Sequence, residues 1–143
     1  MIKIFEITEA DDSTLDAVNR LLPQLSKSSK LINWSTLQEL TNSECTRLYV
    51  AKEDDTIFGM LSLVVFSIPT GTKAWIEDVV VDERARGKGV GKELMNHALN
   101  VAKELGAKSA DLTSRPSREA ANKLYQAIGF DGRETNVYRY KTS

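Results

Sequence analysis

A mixed fold, of the α+β or α/β class with a central, mostly antiparallel sheet layered by about four helices, follows from three observations. Between Thr46 and Val81 three runs carry apolar residues at a period of two, the stretches around them carry apolar residues at helical spacing, and the hairpin-like runs pass downstream into a strand, helix, strand succession. No repeat, low-complexity tract or linker divides the chain. One domain over residues 1–143 is therefore expected.

The elements follow in order. IKIFEI, residues 2–7, alternates as a strand, and DDST then offers N-cap residues to a helix with Leu15, Val18, Leu22 and Leu25 on one face. Pro23 should kink or end that helix near Leu22, because proline lacks the N–H of the next turn. After the polar SKSSK comes a short helical pattern with Trp34, Leu37 and Leu40. RLYVAKED and TIFGMLSLVVFSI, joined at Asp54-Asp55, read as an antiparallel hairpin, and KAWIEDVVV follows across the turn residues Pro69 and Gly71. From Gly89 to about Leu105, Leu94, Ala98, Val101 and Leu105 recur at helical spacing, with Met95, Leu99 and Ala102 widening the face and Gly106 as the stop. A short strand around SADLTS, a helix around REAANKLYQAI ended by Gly129, and a terminal strand pair around Phe130 and NVYRY complete the chain.

Composition narrows the function classes. The chain is 41% hydrophobic and 27% charged with a formal net charge of -1, a globular profile with no global basic field to recruit nucleic acid. No apolar run approaches the ~20 residues that cross a bilayer, and the N-terminus lacks a secretory core, so the expectation is a cytoplasmic protein without a membrane partner. One cysteine, Cys45, allows no internal disulfide and is expected to be a small buried hydrophobe. One histidine, His97, excludes most multi-histidine metal sites and sits on a helix face as a packing residue, so no metal is expected.

The chemistry concentrates in RARGKGVG, residues 84–91. A strand that feeds a glycine-rich turn opening a helix can hold phosphate: the first helical turn has unpaired N–H groups, its dipole is positive there, and glycine lets oxygen approach the backbone. Gly87, Gly89 and Gly91 supply the glycines, and Arg84, Arg86, Lys88 and Lys92 supply local charge. A nucleoside triphosphate loop is disfavoured, because Gly87 to Gly91 is one residue short and Glu93 stands where a magnesium-binding hydroxyl is required. A dinucleotide fingerprint is disfavoured too. The spacing is G-x-G-x-G, DERAR separates it from the strand, and only Asp111 stands downstream as the needed acid.

AWIEDVVVDERARGKGVGKELMNHAL resembles the acyl-coenzyme A binding signature of the GNAT superfamily of N-acetyltransferases, with Arg86, Gly89 and Gly91 at the positions of its core. REAANKLYQAIGF is similar to the same superfamily's later helix, which ends in L-Y-x-x-x-G-F. The two motifs stand in the right order, and the resemblance runs from about Thr46 to Tyr140. It implies a GNAT-like fold, with a splayed mixed sheet, and acetyl-CoA as co-substrate.

The resemblance also implies roles. The pyrophosphate would lie on backbone N–H groups from Arg86 through Gly87, Lys88, Gly89, Val90 and Gly91 to Lys92, and the pantetheine arm on the backbone of Val79 and Val81. The sheet would part after KAWIEDVVV to admit the thioester beside SADLTS. Glu77 is the preferred base for the acceptor amine, ahead of Asp78; in a regular strand the two point to opposite sides, and a bulge would alter that. Tyr125 would protonate the departing thiolate, and the Val79 N–H would stabilise the oxyanion. The family's asparagine seven residues before this tyrosine is replaced by Arg118, with Asn122 one turn later, and either would contact the cofactor, as would Ser114 at the end of its strand. Acceptor recognition falls to residues 25–43, with Trp34, and to the turn before NVYRY, with Tyr138 as a wall residue. The acceptor is expected to be a small-molecule amine; a protein lysine or N-terminus is the alternative, and a non-catalytic acyl-CoA binding domain the second. Monomer and homodimer both remain open.

Overall fold

The computed structural model describes all residues, Met1–Ser143, and the chain falls into two units, Met1–Thr113 and Ser114–Ser143. In the first, a five-stranded sheet runs in the order β1 (Lys3–Glu6), β2 (Thr46–Glu53), β3 (Thr56–Ile68), β4 (Gly71–Val81) and β5 (Ala110–Asp111). The first three pairings are antiparallel and β4 to β5 is parallel. The β2–β3 turn closes on Asp54, which takes the left-handed φ of +54° that such tight turns need.

Two bulges interrupt the ladders. Ala51 pairs with Gly59 and Lys52 with Ile57, which leaves Phe58 of β3 as an extra residue. Met60 pairs with Val80 and Ser62 with Glu77, so Asp78 and Val79 of β4 stand opposite the single residue Leu61. Asp78 has φ +50°, an uncommon conformation for a side chain other than glycine.

Alternation then sorts the core. Leu48 and Val50 of β2 join Ile57, Met60 and Val80 in one cluster with Ala17, Val18 and Leu21 of α1 (Asp12–Leu25) and Leu37 of α2 (Trp34–Asn42). Tyr49, between Leu48 and Val50, meets His97 of α3 (Val90–Glu104) edge to face at 4.8 Å. Helices thus cover both faces of the sheet, and His97 is the packing residue its helical position suggests. Leu94, Met95, Ala98 and Ala102 are the buried stripe of α3; Leu105 lies past its end, 42% exposed, and Gly106 closes it at φ +86°.

Helix α1 departs from expectation at Pro23. It continues through the proline to Leu25, less than one turn further, because the missing N–H costs only the single bond to the Asn19 carbonyl and Leu25 still packs on the core. Cys45 is exposed, because it lies just before β2 in the α2–β2 connection and not within the strand. The strand expected around SADLTS is reduced to the two residues of β5.

The second unit holds α4 (Glu119–Ile128), closed by Gly129 at φ +123°, with the N–H groups of Gly129 and Phe130 both bonded to the Tyr125 carbonyl. The strand pair expected around Phe130 and NVYRY does not form: residues 129–143 contain no strand, and Val137, Tyr138 and Tyr140 are 74%, 86% and 89% exposed. Alternation records a local preference for extended chain, whereas a strand requires a partner edge. No helix in the molecule is long and apolar enough to cross a membrane.

Candidate functional site

The phosphate-cradle sequence becomes a specific backbone arrangement. Asp82 ends β4 and caps a 3-10 turn at Glu83–Ala85; Gly87 and Gly89 then turn the chain at φ +82° and +77°, and α3 starts at Val90. A Cβ added at either glycine would meet nothing within 4 Å, so conformation and not space demands glycine there. Gly91 is different: it is buried in the first turn of α3. The N–H groups of Arg86 and Lys88 are already used, on the carbonyls of Glu83 at 3.4 Å and Ala85 at 3.3 Å. The first bond of the helix runs from Glu93 N–H to the Gly89 carbonyl at 3.0 Å, which leaves the N–H groups of Gly89, Val90, Gly91 and Lys92 unpaired at the positive end of the dipole. Within the expected row Arg86–Lys92, the N–H of Gly87 and the continuous run Gly89–Lys92 are thus without a backbone partner.

The four cations of the loop divide evenly. Arg84 binds Asp82 at 2.9 Å and Lys88 pairs with Glu53 at 3.6 Å, and both stand over the Phe58 ring, at 5.4 and 5.6 Å from its centroid. The bulge at Phe58 thus serves as a platform that fastens the loop to the sheet. Arg86 and Lys92 are exposed and form no ion pair, which makes them the cations available to a phosphate.

Beside the loop, β4 has an open edge. It pairs with β5 only at Ala74 and Trp75, so its residues from Ile76 to Val81 have no strand neighbour on that side. The β4 bulge lies within this stretch. Glu77 borders it and Asp78 lies in it: both are exposed, and neither carboxylate has a hydrogen-bond or salt-bridge partner. Val79 sits half-buried in the bulge, and Val81 pairs with Gly59 on the other edge.

Among the other expected site residues, Trp34 opens α2 and is 40% exposed, after a loop held by Asn19, whose side chain bonds both the Ile32 carbonyl at 3.0 Å and the Ile32 N–H at 2.8 Å. Tyr138, expected as a wall residue, is 86% exposed, and its hydroxyl meets only the Asn136 amide, at 3.0 Å. In the second unit, Tyr125 is buried, its ring 6.1 Å from that of Phe130, and burial pushes its phenol pKa up while Arg118 opposes the shift. Arg118 is the N-cap position of α4, and the Asn122 amide is spent on the Arg115 carbonyl at 3.0 Å. The Ser114 hydroxyl is a buried oxygen with no hydrogen-bond partner, an orphan that a polar ligand atom would satisfy.

Sequence reasoning missed the residues that support the loop. Phe58 and Glu53 gave no signal beyond strand alternation. Asp82 had one, since an acid between an apolar run and ERA is an N-cap pattern, but its partner Arg20 had none. An open groove of about 570 Å³ beside Arg20, lined by Ser13, Asp16, Asp55 and Thr56, also went unforeseen. No group of three or more His, Cys, Asp or Glu residues is placed to hold a metal ion.

Known proteins resemble this chain in sequence and in fold. A Bacillus subtilis (strain 168) protein, YwnH, carrying a provisional name as a phosphinothricin acetyltransferase, is 31% identical over 91 residues, which span 62% of this chain and 56% of that protein, little more than half its length. A transcriptional regulator from Bacillus halodurans C-125 superposes with TM-score 0.85 at 25% identity, covering 99% of this chain and 100% of its own. The aminoglycoside N-acetyltransferase AAC(6')-Iy, solved in complex with CoA, has the same fold, with TM-score 0.83 at 17% identity over 100% of this chain and 96% of its own. Residues 11–130, which contain the unpaired helix start, the open edge of β4 and the L-Y-x-x-x-G-F helix, match the acetyltransferase (GNAT) family, and the chain belongs to it.

Proposed function

We propose that this chain transfers the acetyl group of acetyl-CoA to a primary amine of a small molecule, by direct attack of the amine in a ternary complex. The observation that carries the reading is the adjacency of two unsatisfied backbone rows, the N–H groups of Gly89 to Lys92 and the open edge of β4 from Ile76 to Val81. A diphosphate suits the first, with Arg86 and Lys92 beside it, and an extended amide-bearing arm suits the second, through Val79 and Val81. Gly87 and Lys88 shape the turn, and Ser114, whose hydroxyl has no partner, and Arg118 are the further cofactor contacts suggested by the family resemblance, with Asn122 joining them once its amide leaves the Arg115 carbonyl. The names of YwnH and of the aminoglycoside enzyme favour a small-molecule acceptor.

In this reaction the amine nitrogen forms a bond to the thioester carbonyl carbon and the carbon–sulfur bond breaks. An alkyl ammonium with a pKa near ~10.4 must first lose a proton, and Glu77, or Asp78 beside it, takes that proton directly or through water. The Val79 N–H, at the β4 bulge, donates to the developing oxyanion. Tyr125 gives its proton to the departing thiolate, and the second nitrogen proton, lost as the amide forms, passes through water to restore the phenol. An ordinary phenol is already protonated at neutral pH, and burial pushes its pKa further up, so the proton is present for transfer. Trp34 contributes to acceptor binding.

Release of free CoA thiol from acetyl-CoA, measured with amino acids, aminoglycosides, polyamines and lysine-containing peptides, tests the reading. Turnover with a small amine is expected. Turnover on peptides alone would move the acceptor to protein, and acetyl-CoA binding without any turnover would make the chain a binding module. Tyr125→Phe should lower kcat by about 10²-fold or more while acetyl-CoA affinity holds; equal kcat would remove Tyr125 from the mechanism.

A further inference from the structure

The loop that presents the N–H row is held from behind by a carboxylate outside the family motif. Asp82 is 2% exposed, and every polar group it owns is used. Its Oδ1 accepts from the Arg84 N–H at 3.0 Å, and its Oδ2 accepts from Arg84 Nη2 at 2.9 Å and from Arg20 Nη1. Its own N–H donates to the Phe58 carbonyl at 2.8 Å, and its carbonyl accepts from Ala85 at 2.9 Å. Arg20, on α1, spends its second nitrogen on the Ile57 carbonyl at 2.6 Å. One turn along the same helix, Gln24 accepts from the Glu83 N–H at 3.0 Å.

Three elements thus meet at one carboxylate: the α1 face carrying Arg20 and Gln24, the bulged start of β3, and the first turn of the loop. Removing it would leave Arg20 and Arg84 without their shared acceptor and free the 3-10 turn that sets the direction of Gly87 to Val90. We infer that Asp82, anchored by Arg20, is a positioning residue for the cofactor: it touches no ligand itself but fixes the aim of the N–H row at Gly89–Lys92. The inference rests on the acetyl-CoA reading above and adds to it a residue pair, one partner of which lies 62 positions earlier in the chain.

The test is acetyl-CoA affinity by calorimetry, with kcat and KM alongside, at a temperature well below unfolding. Asp82→Asn is expected to raise the acetyl-CoA Kd by about tenfold or more, a loss of ~1.4 kcal/mol or more, with kcat at saturation within about threefold of the unaltered protein. Arg20→Gln should act in the same direction, and the double variant should be little worse than Asp82→Asn alone, because the two act as one unit. Asn19→Ala is the control for a merely structural effect. It removes both bonds from α1 to Ile32 at the neighbouring residue, so it should lower the melting temperature yet leave acetyl-CoA Kd within about twofold. A Kd for Asp82→Asn within twofold of the unaltered protein, or an equal rise for Asn19→Ala, would overturn the inference while leaving the function in place. Should Asp82→Asn not fold, Arg20→Gln carries the same comparison, since Arg20 is partly solvent-exposed. If the unaltered protein does not bind acetyl-CoA, the functional reading falls first and the positioning role with it.

Discussion

At the scale of single residues, the glycines of RARGKGVG separate into two kinds. Gly87 and Gly89 are required by positive φ, and Gly91 by its place inside the first turn of α3. Gly89→Glu therefore meets open space and costs only the left-handed strain of roughly 1–2 kcal/mol. It should leave a folded protein, judged by circular dichroism, that no longer binds acetyl-CoA, since a carboxylate would stand at the diphosphate; unchanged affinity would refute the loop assignment. This part of the site was legible because glycine spacing and charge are local signals. The division of the cations was not legible. Nothing in the sequence distinguishes Arg84 and Lys88, committed to Asp82, Glu53 and the Phe58 ring, from the unpaired Arg86 and Lys92. Glu53 and Phe58 lie in other strands and are brought close only by folding, and Asp82, two residues before Arg84, is bound to it only through the turn that forms there. The same holds for Glu77 and Asp78, whose shared exposure depends on a bulge that strand alternation does not announce.

At the scale of elements, the start of α3 is placed by the strand beneath it. Gly59 follows the extra residue Phe58, and a Cβ there would stand 2.8 Å from Val90 Cγ1, 3.1 Å from Leu94 Cδ1 and 3.1 Å from the Val80 carbonyl oxygen. The carbonyl belongs to a paired backbone and cannot yield, so α3 must. Gly59→Ala should cost roughly 1–3 kcal/mol in urea unfolding and should also weaken acetyl-CoA binding, because Val90 carries one of the unpaired N–H groups. A stability loss without an affinity loss would show that the helix start tolerates the push. Most elements were legible where apolar period and stop signals agreed, as in α3 from its leucine spacing to Gly106. Legibility failed where structure depends on distant partners. NVYRY has the alternation of a strand and no strand forms, and α1 outlasts Pro23 because Leu25 still has a core to pack against.

At the scale of the whole molecule, acid should reveal how much the buried carboxylate contributes to stability. Hydrogen bonds from Arg84 hold the Asp82 pKa down to about 2, against 3.8 for an ordinary aspartate, with burial opposing the shift. The folded value lies below the unfolded one, so the contribution is full above pH ~4 and is lost as pH falls through ~2; it amounts to at most about 2 kcal/mol, less screening at the exposed Arg84. Urea unfolding at pH 7, 4 and 2.5 should show the gap between the unaltered protein and Asp82→Asn closing only at the last step. The β4 bulge has a reach of the same molecular order. Ile76 and Val80 are four residues apart and would share a face in a regular strand, yet Val80 belongs to the α1–α2 cluster and Ile76 does not. The single extra residue acts as a phase shift. Counted from Gly71, β4 arrives at Asp82 half a period out of step with its own beginning, and the loop inherits that parity. Excision of one residue at Asp78 or Val79 would leave the loop's sequence intact and turn it toward the opposite side of the sheet.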